Sequence, residues 1–470
     1  MPTQILALLL ALVLSLPFGP AHAAPELSAE QAARDLRILR RAFTDLHAGL
    51  YRQASPAQID AEFERAQAAV AQGASRTEMF LHATRIAAAV RCGHTWTNVY
   101  NQSDALQAEF AGRANKLPLR LRFVAGRALV TASAVPAIAP GTELLAINDR
   151  SPTDIQAALL PYLRADADGD GKRLAQLNDD ANGGAMQWLF PLLFPPESGR
   201  WRLRLPGGAE LSVAAVASVP GTLPPVDWQL RIEGDRAVMT LPTFAFWNRP
   251  FDGNAWLTDA FQRLASQRVS QLVIDLRDNE GGDDSLGLAV LAHLISQPFT
   301  QPGGRRESAY ERAPYELARF LDTWDFSFFD RTGQVQKTEG RNWRMADALP
   351  MRVEPKAPRF TGRVAALIGP QNSSAGFLLA RNLKASGAAL LIGQRTAGNL
   401  QGLNGGQIAW VRLPHSGVSV DIPLVANFTA GNPPSGGVQP DLNVTPDFAA
   451  AARGEDVDMV RARAWLAEGR

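Results

Sequence analysis

Residues 364–383 read VAALIGPQNSSAGFLLARNL and place two serines between an apolar run and an apolar helical pattern. The run 364–369 predicts a buried strand, and the pattern from about Ala375 predicts a helix. Ser373 and Ser374 fall on the turn between them. A serine at the start of a helix usually caps its free amides, and a catalytic nucleophile is the alternative. The rest of the sequence has to decide between these two interpretations.

The neighbouring sequence repeats the alternation of strand and helix. Residues 271–276 and 388–393 are further apolar runs of strand length, and a helical pattern begins at about Ser285. Alternation of this kind is typical of parallel strands covered by helices. We therefore predict an α/β core.

Two loops of this core are candidates for a functional site. In parallel sheets, ligands bind beyond the carboxyl ends of the strands, and the loops 277–282 and 370–374 each follow a predicted strand. Gly281 and Gly282 would let a substrate carbonyl approach backbone amides closely, as an oxyanion hole requires. A simple turn is the alternative for this glycine pair.

The N-terminus indicates an exported protein. Residues 5–16 form an apolar run that is too short to span a bilayer, and Ala21-His22-Ala23 follows it. This pattern predicts a signal peptide, residues 1–23, that is removed before Ala24. No later stretch approaches the roughly 18 apolar residues of a membrane span. We therefore expect a periplasmic or secreted protein without stable membrane insertion.

Three segments follow the predicted signal peptide. Ser28 and Ser75 each begin a capping-box pair ahead of a helical pattern. Short strands and turns replace these helices further along the chain, and the α/β pattern comes last. The predicted organisation is a helical N-terminal domain, a β-rich module and an α/β core, at residues 24–105, 106–222 and 223–470.

Composition excludes several classes of function. The 47 Lys and Arg residues are balanced by 46 Asp and Glu residues, which disfavours nucleic acid as a partner. Cys92 is the single cysteine, so an internal disulfide is excluded. Residues 166–171 have the opening spacing of a calcium loop, but Leu177 stands where a bidentate glutamate is needed. We expect an acidic turn exposed to solvent there, and no metal or cofactor.

Taken together, the motifs of the core resemble those of the tail-specific, or C-terminal-processing, serine peptidases. Residues 273–282, VIDLRDNEGG, are similar to the Asp-Leu-Arg-x-Asn-x-Gly-Gly signature of that family, and Ser374-Ala375 falls on its nucleophile and the residue after it. The resemblance implies a crotonase-like peptidase core, with Ser374 as the nucleophile and Ser373 as the helix cap. It extends to GQRTAG and GVQPD, which match later family signatures, and to PGTELLAIN, which is similar to the central turn and strand of a PDZ module, at residues 393–398, 437–441 and 140–148.

A nucleophilic serine needs a base that accepts its proton. Many members of the family use a lysine 25 residues after the serine, where this chain has Asn399. Lys384 follows the serine on the predicted helix, and ten helical residues displace it by about 15 Å along the axis. In a second branch, which resembles the tricorn protease, an N-terminal histidine is the base. His94 in Cys92-Gly93-His94-Thr95-Trp96 fits the Gly-His-Thr motif of that branch.

His94 follows a helix that Gly93 is expected to end. An ordinary imidazole pKa of about 6.5 suits proton transfer near neutrality. A structural loop histidine is the alternative interpretation of His94. The rival base, His415, would require an α/β-hydrolase, but no acidic residue stands between Ser374 and His415. The glutamate that the tricorn-like branch places before its Gly-x-x-Pro-Asp is replaced by Pro-Pro-Ser-Gly at residues 433–436.

We therefore predict a serine endopeptidase that acts on proteins or peptides through an acyl-enzyme on Ser374. His94 is the predicted base, and amides near Gly281, Gly282 and Ala375 are the predicted oxyanion hole. The alternative is a catalytically inactive pseudopeptidase that binds peptides.

Overall fold

A computed structural model describes residues 26–178, 184–219, 227–247 and 249–468. The predicted signal peptide lies outside these residues. No helix in the described ranges is long and apolar enough to cross a membrane.

The N-terminal helices are α1 Ala29–Leu46, α2 Pro56–Ala69 and α3 Arg76–Ala89. The predicted capping boxes at Ser28 and Ser75 are confirmed, because each serine side chain accepts a backbone N–H and the third helical residue bonds back. The apolar faces of these helices do not form a separate core. Leu39 and Phe43 belong to the same buried cluster as Val420, so the helical domain packs on the C-terminal half of the chain.

The middle of the chain contains two small antiparallel sheets, of strand order β1-β2-β3 and β4-β5-β6, and short helices. Trp201 is fully buried in their shared core and stacks on Phe190 with ring centroids 5.4 Å apart. The elements are α4 Asp104–Ala111, β1 Leu119–Val124, β2 Arg127–Ser133, β3 Glu143–Leu144, β4 Ala146–Ile147, α5 Pro152–Leu159, α6 Asp170–Ala175, α7 Ala185–Trp188, α8 Phe190–Leu193, β5 Arg200–Arg204 and β6 Glu210–Ala214.

The remainder of the chain is the predicted α/β core. Its helices are α9 Gly253–Ser266, α10 Asp284–Ala292, α11 Tyr315–Ala318, α12 Ser374–Ser386, α13 Phe448–Ala452 and α14 Val457–Ala467. Its strands are β7 Gln229–Glu233, β8 Arg236–Thr240, β9 Gln271–Asp275, β10 Phe299–Gln301, β11 Gly304–Ser308, β12 Leu321–Asp322, β13 Val335–Lys337, β14 Trp343–Met345, β15 Met351–Val353, β16 Arg363–Ile368, β17 Leu390–Gly393, β18 Ile408–Arg412, β19 Ser419–Pro423, β20 Ala426–Thr429 and β21 Leu442–Asn443.

A six-stranded sheet of order β21-β17-β16-β9-β8-β7 organises this core. The pairs from β8 to β21 are parallel, as predicted, and β7 joins as an antiparallel hairpin partner of β8. Asp275 at the end of β9 pairs with Leu367 near the end of β16. The loops that leave these two strands therefore start side by side at one edge of the sheet.

The other strands form smaller sheets around this core, of order β10-β15, β13-β14-β11-β20 and β12-β18-β19. The hairpin β18-β19 carries the apolar face on which the N-terminal helices pack. It also holds the segment after α3, because the Asp421 amide donates to the Trp96 carbonyl at 2.9 Å. The sequence around His94 is thereby fixed to the core.

Candidate active site

The glycine loop after β9 and the serine loop after β16 are in direct contact. A Cβ atom added to Gly281 would lie 2.7 Å from Ser374 Cβ and 2.8 Å from the Ala375 amide nitrogen. At Gly282 it would lie 2.0 Å from the Phe244 carbonyl carbon. Both glycines also have positive φ angles, 112° and 135°. This approach therefore requires glycine at both positions.

Ser374 begins helix α12 in an unusual backbone conformation. Its φ angle is 48°, in the left-handed region that a non-glycine residue seldom occupies. Such conformations cost about 1–3 kcal/mol and are found at functional sites, where the surrounding structure imposes them. Ser374 is half-buried, whereas Ser373 is only 5% exposed. Ser374 is therefore the more accessible of the two hydroxyl-bearing residues.

Asparagine side chains hold the two loops together. Asn372 is fully buried, and its amide donates to the Asn279 carbonyl at 3.2 Å and also to the Leu276 carbonyl. The Gly281 amide donates to Asn279 Oδ1 at 2.9 Å. The Gly281 N–H is therefore already bonded in this arrangement, and a role for Gly281 in the oxyanion hole stays a prediction. Its contribution is the close approach to Ser374.

Ser373 occupies the N-cap position of α12 but does not cap the helix, contrary to the prediction. Its hydroxyl accepts a hydrogen bond from Lys172 Nζ at 2.6 Å and donates to the Glu280 carbonyl at 3.0 Å. Lys172 also lies 3.3 Å from Glu280 Oε2. The hydroxyl therefore links a lysine of the middle module to the serine loop and the glycine loop.

Lys172 was not predicted as a site residue. It lies on α6, its side chain is fully buried, and it approaches Ser373 across 201 residues of sequence. Burial is the largest influence on this ammonium group and lowers its pKa, although the Glu280 carboxylate opposes that effect. For Glu280, burial alone would raise the pKa, but Lys172 and Arg164 outweigh it and hold the pKa below its usual value. The pair is therefore a buried ion pair.

Arg164 and Asp166 connect this ion pair to the segment that carries His94. Arg164 Nη2 donates to Glu280 Oε2 at 2.9 Å, Nη1 donates to the Gly93 carbonyl, and the guanidinium lies 3.9 Å from the centroid of the Trp96 ring. The Gly93 amide donates to Asp166 Oδ1 at 2.9 Å. Asp166 is only 5% exposed, so the prediction of a solvated acidic turn is wrong at this residue.

Gly93 does not end helix α3, contrary to the prediction. The helix ends at Ala89, and Arg91 adopts the left-handed conformation with a φ of 54°. A Cβ atom at Gly93 would lie 2.7 Å from Asp166 Oδ2. Glycine is therefore needed here because a carboxylate packs against the backbone.

His94 is half-buried and packs against the backbone of Gly405, where an added Cβ would lie 3.2 Å from its Cε1. Burial lowers the pKa of His94; Asp166 raises it, whereas Arg164 and Lys172 lower it further. The imidazole is thus held neutral, as a base must be before it accepts a proton. Its Nδ1 atom is buried and makes no hydrogen bond to any described residue.

The other residues considered as the base, or at the position of the family lysine, bond to other partners. Lys384 pairs with Asp441 at 2.9 Å, and Asn399 Oδ1 accepts from the Gln401 and Gly436 amides at 3.0 and 3.1 Å. His415 lies beside α1, where its amide donates to Asp35 Oδ1 at 3.1 Å. Cys92 lies two residues before His94, and burial raises the pKa of its thiol to about 11, so the thiol stays protonated.

Among the described residues, no group of three or more His, Cys, Asp and Glu side chains is arranged to hold a metal ion. Asp168, in the sequence that resembled a calcium loop, pairs with Arg395 at 2.8 Å. Asp170 pairs with Arg173 at 3.3 Å. These carboxylates have protein partners.

Comparisons with known proteins identify the family of the C-terminal part and the fold of the chain. The sequence model of peptidase family S41 matches residues 235–444, whereas no curated protein matches the chain. Crystal structures of CPAF have the same fold at 15% sequence identity. Mature CPAF superposes with a TM-score of 0.58, and the match covers 90% of this chain and 94% of the CPAF chain. For mature CPAF complexed with lactacystin the TM-score is 0.61, and the match covers 94% of this chain and 97% of the CPAF chain. A CPAF mutant reaches 0.64 over 92% and 97%. The chain therefore carries a serine-peptidase domain of family S41.

Proposed function

We propose that the protein is an exported serine endopeptidase that hydrolyses proteins or peptides, with Ser374 as the nucleophile and His94 as the general base. The observation that carries the proposal is the strained Ser374 at the start of α12, in contact with the glycine loop. The proposal includes removal of residues 1–23, a PDZ-like module at 106–222 and a crotonase-like core at 223–470.

The chemistry follows from these positions. Ser374 Oγ attacks the carbonyl carbon of the scissile peptide while the His94 imidazole takes its proton. The amide of Ala375, in the first turn of α12, has no intrahelical acceptor and stabilises the oxyanion together with the amide of Gly282. Breakdown of the tetrahedral intermediate breaks the C–N bond, and the imidazolium returns the proton to the leaving amine. Water, deprotonated by His94, then hydrolyses the Ser374 ester.

Lys172 is a positioning residue in this scheme. Its ammonium holds the Ser373 hydroxyl and the Glu280 carboxylate, which flank Ser374 and Gly281 in sequence. Because Ser373 in turn donates to the Glu280 carbonyl, the lysine sets the spacing between the nucleophile loop and the glycine loop. Orientation of this kind contributes to rate without touching substrate.

A peptide-binding pseudopeptidase is the alternative. The observation that favours it is the buried Nδ1 of His94, which no described carboxylate orients. A triad histidine depends on such a partner for its tautomer and its stability as imidazolium.

Labelling with a fluorophosphonate probe separates the two functions. The wild type and Ser373→Ala should be labelled, and Ser374→Ala should not. Ser373→Ala is the matched control because it removes the neighbouring hydroxyl from the same loop. Equal labelling of Ser374→Ala and wild type would refute the nucleophile assignment, and an unlabelled wild type that still binds peptides would favour the pseudopeptidase.

A further inference from the structure

A cavity of about 470 Å³ opens beside the two catalytic loops. Glu280, which precedes Gly281, and Gln371, which lies three residues before Ser374, form part of its lining. The cavity therefore begins where a substrate would meet the nucleophile. Its size falls within the roughly 300–1,000 Å³ that is usual for ligand sites.

The walls of this cavity are largely apolar. Trp96 and Val99 come from the segment after α3, Phe110 from α4, and Leu163 and Trp188 from the middle module. Polar side chains also line the cavity, among them Gln107, Gln187 and Lys116. Walls of mostly aromatic and aliphatic surface with interspersed polar groups are typical of a pocket that receives an apolar group. The apolar walls thus come from parts of the chain that precede the peptidase domain.

The charged residues of the lining are already bonded within the protein. Lys116 Nζ donates to the Arg113 carbonyl at 3.1 Å. Glu280 lies 2.9 Å from Arg164 Nη2 and 3.3 Å from Lys172 Nζ, and the Arg164 guanidinium stacks on Trp96. A basic side chain would therefore find no unpaired carboxylate, and an acidic one would lose hydration among the apolar walls. Charge complementarity favours a neutral apolar occupant over either ion.

We propose that this pocket is the specificity site of the peptidase and that it receives an aromatic or large aliphatic side chain of the substrate next to the scissile bond. The proposal rests on the proposed function and adds the substrate class. Binding there would place the adjacent peptide carbonyl beside Ser374.

Internally quenched peptides that differ at one residue, Phe, Leu, Ala, Lys or Glu, test the substrate class. The Phe and Leu peptides should have kcat/KM values at least about tenfold above those of the Ala, Lys and Glu peptides, because each methylene in an apolar pocket discriminates by about 10–200-fold. Equal values for Phe and Ala, or a preference for Lys, would overturn the proposal.

Two substitutions at Val99 test the location. Val99→Asp should lower kcat/KM for the Phe peptide at least tenfold and raise the ratio of Lys to Phe cleavage. Val99→Trp, which fills the cavity, should lower cleavage of Phe but not of Ala peptides, and it remains informative where the aspartate variant fails to fold. Val460→Asp is the matched control, because Val460 is an exposed valine on α14. Unchanged side-chain preference in folded Val99 variants would refute the assignment.

Measurements of peptide binding test the specificity pocket separately from the peptidase activity. The fluorescence anisotropy of labelled Phe and Lys peptides can be measured with Ser374→Ala, which needs no turnover. Tighter binding of Phe by about tenfold supports the pocket even if the wild type cleaves nothing, and that lack of cleavage would refute only the peptidase. Equal binding of both peptides refutes the pocket whether or not the wild type is active.

Discussion

Lys172→Met tests whether the buried ammonium positions the catalytic loops. Methionine keeps a side chain of similar length and removes the donor to Ser373 and the partner of Glu280. At 3.3 Å, and with an effective dielectric constant near 20, the Lys172–Glu280 attraction is about 5 kcal/mol. The substitution also removes the desolvation cost of the lysine, and Glu280 keeps Arg164 at 2.9 Å. We therefore expect a stability loss of about 3 kcal/mol, the lower end of the range for a broken buried pair.

The same substitution should lower kcat about 10²-fold, because a displacement of about 1 Å in the catalytic loops has that effect. It should also change the pH profile. Asp166 raises the pKa of His94, whereas Arg164 and Lys172 lower it. Removal of the lysine charge raises that pKa, so the fraction of neutral base at a given acidic pH falls. The acidic limb of kcat/KM should therefore move to higher pH.

Urea unfolding and the pH dependence of peptide cleavage measure these effects. Lys384→Met is the matched control: its ammonium pairs with Asp441 and is 40% exposed, so kcat should stay within a few-fold of wild type. Ser373→Ala keeps the charge of Lys172 and should lower kcat without moving the acidic limb. Wild-type kcat and an unmoved acidic limb in folded Lys172→Met would refute the positioning role. Loss of fluorophosphonate labelling in Lys172→Met but not in His94→Ala would instead identify the lysine as the base.

Three further predictions concern the base and its surroundings. His94→Ala should lower kcat about 10³-fold or more. The acidic limb of the wild-type profile of kcat/KM against pH should lie below pH 6.5, because burial lowers the pKa of the His94 imidazole. A limb above pH 7 would contradict this environment of His94. Gly281→Ala should lower kcat about 10²-fold, since its Cβ would lie 2.7 Å from Ser374 Cβ, whereas Gly333→Ala, also at positive φ but with open space around it, should not. Burial raises the pKa of Asp421 to about 6, so the folded state holds a proton that the unfolded state releases near pH 3.8. Stability should therefore fall by about 3 kcal/mol as pH rises from about 4 to 6, and Asp421→Asn should remove this loss in urea unfolding curves.

Elements with a local signal could be predicted from the sequence. The capping boxes at Ser28 and Ser75, the parallel strands and the helix after Ser374 follow from periodicities and short-range hydrogen bonds, which a few neighbouring residues determine. The adjacency of the glycine and serine loops also followed, because parallel neighbouring strands end at one edge of a sheet. Gly281 lies beside Ser374, but its bond to Asn279 depends on a side-chain rotamer that no sequence pattern encodes.

Contacts between distant segments were decided by the tertiary structure alone. Lys172 directly follows residues 166–171, for which the sequence predicts an exposed acidic turn, and its contact with Ser373 spans 201 residues. Asp166 and Gly93 were likewise assigned separate, ordinary roles, and only folding brings the carboxylate onto the glycine amide. The physical reason is the same in each case. A charged side chain is either exposed to solvent or buried in an ion pair, depending on which other segments pack over it. The composition, periodicity and spacing of the sequence do not show which segments those are.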